Sequence, residues 1–147
     1  MDSGDRPVEA IALQPVFVAS SVVDAVVAAA RAASPHECCG ILLGRADRVS
    51  EAATARNISE RPATRFLIDP RDHLDAIKSA RARGLEVVGF YHSHPRSSAE
   101  PSETDLAEAS YPNHLFLIAS LGADPPELRL YRFSSGNFLP VPFVTVA

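Results

Sequence analysis

The sequence predicts a mixed α and β fold, α/β in the broad sense and α+β in its arrangement, with two or three helices and about seven strands. Three observations predict it. Apolar runs rich in β-formers recur at Cys39–Leu43, Leu85–Tyr91 and His114–Leu121. Valines and alanines between Ser21 and Ala33 fall at helical spacing. Asp69-Pro70 and Pro101-Ser102 each mark a helix start. At 147 residues the chain is long enough for one domain with a sizeable core. The predicted division is a disordered N-terminus over residues 1–8 and a single domain over 9–147.

Taken in order, Ile11–Val18 carries β-formers and is expected as a short strand that Pro15 limits to an edge or a break. Ser20 or Ser21 is a suitable N-cap for a helix over Ser21–Ala33, which Ser34-Pro35 ends. Valine is a weak helix former, so packing must hold this helix. Cys39–Leu43 reads as a buried strand and Val49–Arg56 as its hairpin partner. Asn57–Thr64 is a loop and Arg65–Ile68 a short strand. Asp69 caps the next helix, with Leu74, Ile77 and Ala80 as its buried face and Gly84 as its C-terminal stop. Leu85–His92 is a strand. Ser102 opens a further helix with Asp105 at its third position, able to bond back to the Ser102 amide; Leu106 and Ala109 face inward and Tyr111-Pro112 stops it. His114–Leu121 lacks alternation and is expected to be central, covered on both faces. Glu127–Phe133 and Phe138–Val146 form the last two strands around the turn at 134–137.

Composition narrows the function. The net charge of −4 leaves no basic footprint, so nucleic acid is not an expected partner. Val16–Ala33, the longest apolar-rich stretch, is broken by Ser20, Ser21, Asp24 and Arg31, too polar to span a membrane. Met1–Pro7 has no apolar h-region, so no secretory leader is expected. Cys38 and Cys39 are adjacent, which strains a disulfide ring and does not match a zinc-ribbon pair. A reduced, cytoplasmic setting follows.

The chemistry concentrates between Gly89 and Asp105. Residues i and i+2 of a strand share a face, so His92 and His94 project together and can meet one ion. His36, His73 and His114 stand alone and read as ordinary surface or core histidines. Asp105 arrives on the following helix turn; with two imidazoles it leaves an open position, the pattern of a catalytic zinc. By spacing alone, Asp105 and Ser102 could equally serve only as the helix cap. Such chemistry needs a general base. Glu100 and Glu103 read as solvated; Glu37, at the mouth of the apolar Cys38–Leu43 run, is the better candidate, its alternative being an exposed strand-end carboxylate.

Together these residues match a family. His92-Ser-His94-Pro, seven positions from Pro95 to Pro101, then Ser102-x-x-Asp105, with Glu37 ahead of Cys-Cys-Gly-Ile-Leu-Leu-Gly, resembles the JAMM (MPN+) metalloproteases of the short, stand-alone bacterial type. The resemblance also takes in Asn57, Arg65-Phe66, Asp69-Pro70 and the Gly89-Phe-Tyr lead-in. It implies a curved, mostly antiparallel sheet flanked by helices, the MPN/JAMM (cytidine-deaminase-like) fold. It implies Zn2+ held by His92, His94 and Asp105, with Glu37 as general acid/base and Ser102 as hydrogen-bond donor to the oxyanion. It implies hydrolysis after the C-terminal Gly-Gly of a ubiquitin-like or sulfur-carrier protein of the ThiS/MoaD type. Cys38 and Cys39 then have no required role and serve strand packing, the alternative being that one of them lies near the metal.

Ubiquitin-chain specificity is not implied, since the long insertions and second-zinc cluster of eukaryotic deubiquitinases have no counterpart here. Three rivals remain at this stage. A RadC-like DNA-repair-associated protein carries a similar run, but this chain is acidic and lacks a helix-hairpin-helix segment. A non-haem iron oxygenase also uses two histidines and a carboxylate, usually in an all-β barrel. A non-catalytic MPN scaffold would bind a partner, but such proteins usually lose ligands.

Overall fold

The computed structural model describes residues 14–108 and 111–147, and of residues 106–108 the backbone alone. The proposed disordered segment 1–8, the first residues of the Ile11–Val18 strand and the inward-facing Leu106 and Ala109 lie outside what is described.

The elements in chain order are β1 (Val16–Ala19), α1 (Ser20–Ala33), β2 (Cys39–Arg45), β3 (Arg48–Ala55), α2 (Pro70–Ala82), β4 (Glu86–His94), α3 (Glu103–Glu108), β5 (Leu115–Ser120), β6 (Glu127–Ser134), β7 (Asn137–Val141) and β8 (Phe143–Val146). All eight strands form one mixed sheet, ordered β7-β6-β5-β4-β2-β3-β1-β8. Neighbours pair antiparallel at β2–β3, β2–β4, β5–β6 and β6–β7, and parallel at β4–β5, β1–β3 and β1–β8. β7 and β8 are separated only by Pro142 yet lie at opposite ends of this order. The sheet therefore curls until its edges meet, and the Val16 amide donates to the Pro142 carbonyl at 3.0 Å.

Each face of the curled sheet has its own core. α1 packs Val22, Val26 and Ala30 against Leu42, Tyr91, Leu115 and Leu117. Each valine costs a few tenths of a kcal/mol in helix propensity, whereas burying its side chain contributes about 1.5 kcal/mol or more, so packing decides the conformation. On the opposite face α2 packs Ala76 and Ala80 over Ile41, Leu43, Phe90 and Phe116. β5 sends Leu115, Leu117 and Ala119 into the first core and Phe116 into the second, Ile118 packs with Ala99 and Tyr131, and every one of its residues is buried. It is central, as its unbroken apolar run predicts. Among the described residues no helix is long and apolar enough to cross a membrane.

Several local expectations differ from what is found. α1 starts at Ser20 with Ala19 in the capping position and no side-chain cap, because β1 runs into the helix without a linker. Leu74 is 50% exposed. Only small residues let α2 approach the sheet, so its Ala76–Ala80 stripe faces inward; Leu74 lies about 200° round the helix from Ala76 and turns to solvent. Arg65–Ile68 forms no strand, only a single bridge between Asn57 and Ile68. Phe138–Val146 is two strands, since Pro142 interrupts it and sends β8 to the far edge.

Candidate metal centre

β4 extends through His94, and the two histidines share one face of its last turn of pleat while Ser93 points the other way. The Ser93 Oγ accepts the Cys38 amide at 2.8 Å, and the Ser93 amide donates back to the Cys38 carbonyl at 3.1 Å. The ladder ends at the Cys39–His92 pair, and the chain continues through Cys38 beside Ser93 to bring Glu37 level with His94, their ligand atoms within 4.8 Å. Glu37 is only 5% exposed, which overturns the exposed strand-end alternative. Gly40 makes the pairing possible: a Cβ there would sit 2.2 Å from the Tyr91 ring.

The segment after Pro95 is pinned at three consecutive carbonyls. Ser120 Oγ donates to Ser97 O at 2.6 Å, His94 Nδ1 lies 2.7 Å from Ser98 O, and Tyr131 OH donates to Ala99 O at 2.9 Å. That path delivers α3. Its start is a reciprocal capping box: the Asp105 amide donates to Ser102 Oγ at 3.0 Å, and the Ser102 amide donates to Asp105 Oδ2 at 2.9 Å.

Three atoms converge. His92 Nε2 lies 3.2 Å from His94 Nε2 and 3.1 Å from Asp105 Oδ2, and His94 Nε2 lies 3.0 Å from the same oxygen. Ligand atoms of Glu37, His92, His94 and Asp105 all fall within 4.8 Å of one another, and all four residues are buried. Every sequence-predicted ligand and the predicted base are thus brought together. Ser102 is exposed at the rim, attached to the cluster through Asp105.

The cluster fits a cation on the chemistry of its protons. A carbonyl only accepts, so His94 Nδ1 carries the proton toward Ser98 O. A neutral His94 then presents a bare lone pair at Nε2, facing a carboxylate oxygen at 3.0 Å. A cation among the three atoms removes that conflict and all three close contacts at once. Their separations of 3.0–3.2 Å also approach the ~3.3 Å expected between two ligands of a tetrahedral ion with bonds of ~2.0 Å. Burial pushes His92 below the ordinary histidine range. Burial also opposes the charged form of His94, but the bonds to Asp105 and Ser98 outweigh it and raise its pKa. Burial works against ionised Asp105, yet the two imidazoles and the Ser102 amide hold its carboxyl well below the usual range.

Sequence reasoning missed three supports. Phe66 stacks on His92 with ring centroids 4.4 Å apart and planes 21° apart. Ser120 and Tyr131 hold the loop from other strands. Nothing local marks these residues, because each acts across a long sequence separation. An apolar groove of about 340 Å³, lined by Phe66, Ile68, Phe90, Tyr111 and Phe138, opens beside His92 and Asp105. Cys38 and Cys39 stay outside the cluster; burial raises both thiols, Cys39 to about 12, so both are neutral packing groups.

The chain resembles several known proteins. It is 38% identical over 88 residues to the desampylase of Haloferax volcanii, a match covering 58% of this chain and 63% of that one. It is 33% identical over 124 residues to the CysO-cysteine peptidase of Mycobacterium tuberculosis, covering 82% of this chain and 84% of the relative. The solution structure of a Desulfitobacterium hafniense protein superposes with a TM-score of 0.82 at 29% identity, over 89% of this chain and 92% of that one. Residues 19–134 match the family described as prokaryotic homologs of the JAB domain, and the chain belongs to that family.

Proposed function

We propose that this protein is a zinc metallopeptidase that hydrolyses the bond after the C-terminal Gly-Gly of a small ubiquitin-like or sulfur-carrier protein. The observation that carries the reading is the triangle of His92 Nε2, His94 Nε2 and Asp105 Oδ2, with Glu37 buried beside it. A family relative named for cleaving a cysteine adduct supports the substrate class. In this reading His92, His94 and Asp105 hold the metal, and zinc supplies Lewis acidity when bound. The Glu37 carboxylate takes a proton from the attacking water and returns it to the leaving amine. Ser102 donates to the oxyanion. Its oxygen accepts the Asp105 amide, so its own proton is the part left to give. Tyr131, Ser120 and the Ser98 carbonyl keep His94 in the tautomer that turns its Nε2 lone pair inward. The buried, neutral thiols of Cys38 and Cys39 suit a reducing compartment such as the cytoplasm.

Elemental analysis tests the site first. The expectation is about one zinc per chain in the wild type and in Glu37→Gln, loss of metal in His94→Ala, and no hydrolysis by Glu37→Gln. Full metal stoichiometry in His94→Ala would remove the ligand assignment. Iron in place of zinc would revive the oxygenase reading of the same donor set.

A further inference from the structure

We propose that Asn57 is a positioning residue that joins the backbone of Glu37 to the loop segment holding Phe66 against His92. The proposal rests on the role given above to Glu37. A side-chain amide has two donor hydrogens and two acceptor lone pairs, and Asn57 uses all four on backbone groups. Its Nδ2 donates to the carbonyls of Glu37 and Arg65, each at 3.0 Å. Its Oδ1 accepts the amides of Ser59 at 3.1 Å and Leu67 at 3.0 Å. The bonded groups lie 20 residues upstream and as far as 10 residues downstream of Asn57.

Both ends of this set matter at the metal centre. Glu37 lies between α1 and β2, before the ladder that begins at Cys39, so no strand pairing holds its backbone. Instead its amide donates to the Pro62 carbonyl at 2.7 Å and its carbonyl accepts from Asn57. Both partners belong to the loop after β3. At the other end, Arg65 and Leu67 flank Phe66, the ring stacked on His92. The segment forms no strand, only the Asn57–Ile68 bridge with the Ile58 amide on the Leu67 carbonyl at 2.9 Å, and the Asn57 side chain adds the bonds at Arg65 and Leu67 on either side of Phe66. One side chain therefore sets the backbone that carries the proposed base and the backbone that carries the ring beside a ligand imidazole.

Two substitutions separate this from a bland fold role. Asn57→Ala removes all four bonds. Asn57→Asp keeps the acceptor pair toward Ser59 and Leu67 and loses both donations, and so serves if the alanine variant does not fold. The experiment compares metal content, kcat and KM on a sulfur-carrier protein with a C-terminal cysteine adduct, together with amide hydrogen exchange. The expected result is metal at the wild-type level, KM within about twofold, and kcat lowered about tenfold or more, since small misplacement of a catalytic group is costly in rate. Exchange is expected to accelerate at Glu37, with Ile118 in β5 unchanged. A kcat per metal-loaded molecule within about threefold of wild type in both variants overturns the proposal. If the wild-type zinc protein itself leaves the adduct intact, the proposed function falls, and exchange alone decides the coupling. Acceleration at Glu37 then upholds it and unchanged exchange there overturns it.

Discussion

Tyr131 on β6 donates its hydroxyl to the carbonyl of Ala99 at 2.9 Å, joining a core strand to the loop that follows the second histidine. The neighbouring carbonyl, Ser98 O, takes the His94 Nδ1 proton. The segment Arg96–Pro101 is thus tied to β4, β5 and β6. Tyr131→Phe is expected to leave a buried carbonyl short of a partner and to destabilise the fold by about 1–2 kcal/mol. Metal retention, measured by competition with a chelator, should weaken by up to about tenfold. Retention equal to wild type would mean that the loop holds His94 without Tyr131.

Ser102 has two separable roles. As the cap of α3 it accepts the Asp105 amide at 3.0 Å, and as the proposed oxyanion donor it gives its proton. Ser102→Ala should therefore cost about 1 kcal/mol in stability and about a hundredfold or more in kcat, with metal retained. Ser102→Asp restores a capping oxygen but not the donor, and should recover stability without activity. Recovery of both would assign Ser102 to capping alone.

Gly40 is dictated by close approach. A Cβ would meet Tyr91 Cε2 at 2.2 Å and the Ala53 carbonyl oxygen at 2.4 Å. Because one obstacle is backbone, the clash cannot be relieved by a rotamer change. Gly40→Ala is expected to destabilise by about 2 kcal/mol or more, read from the midpoint of denaturant unfolding. An unchanged midpoint would show that β2 and β3 can separate freely at this point.

His73 supplies a pH dependence. Its ring stands edge-on to Phe90 with centroids 5.4 Å apart and to Tyr111 at 5.9 Å. Burial lowers its pKa, and the charge of His114 adds to the effect. The folded protein therefore binds this proton less readily than the unfolded chain, whose histidine titrates near pH ~6.5. The stability it contributes is present above that pH and is lost as pH falls toward the lowered folded value. Urea unfolding at about pH 7.5 and about pH 5.5 should show a smaller loss for His73→Phe than for wild type. Equal losses would remove His73 from the effect.

What could be read from sequence was what depends on near neighbours. The Asp69 cap accepts the Arg71 amide at 2.9 Å, with Pro70 opening α2. The Ser102–Asp105 capping box and the His92–His94 pair on one strand face follow from spacing of two or three residues. What depends on distant partners was hidden. Phe138–Val146 reads as one strand, and only closure of the sheet makes Pro142 a crossing between edges. Leu74 has the hydrophobicity of a core residue, but the small Ala76 and Ala80 set how closely α2 lies and leave Leu74 facing solvent. The burial of Glu37 comes from its place beside the end of β4 and from a loop more than twenty residues away, which no local pattern records. Phe66 and Tyr131 carry no sign of their contacts until the chain is folded.

The proposed chemistry is tested most directly by mass spectrometry of a sulfur-carrier protein bearing a C-terminal cysteine adduct after incubation with the zinc-loaded protein. The account predicts uptake of one water across the scissile bond, release of cysteine and a free Gly-Gly carboxylate. It predicts no release with Glu37→Gln and no cleavage of diubiquitin. An adduct left intact by the zinc-loaded wild type, or cleaved equally by Glu37→Gln, would contradict it.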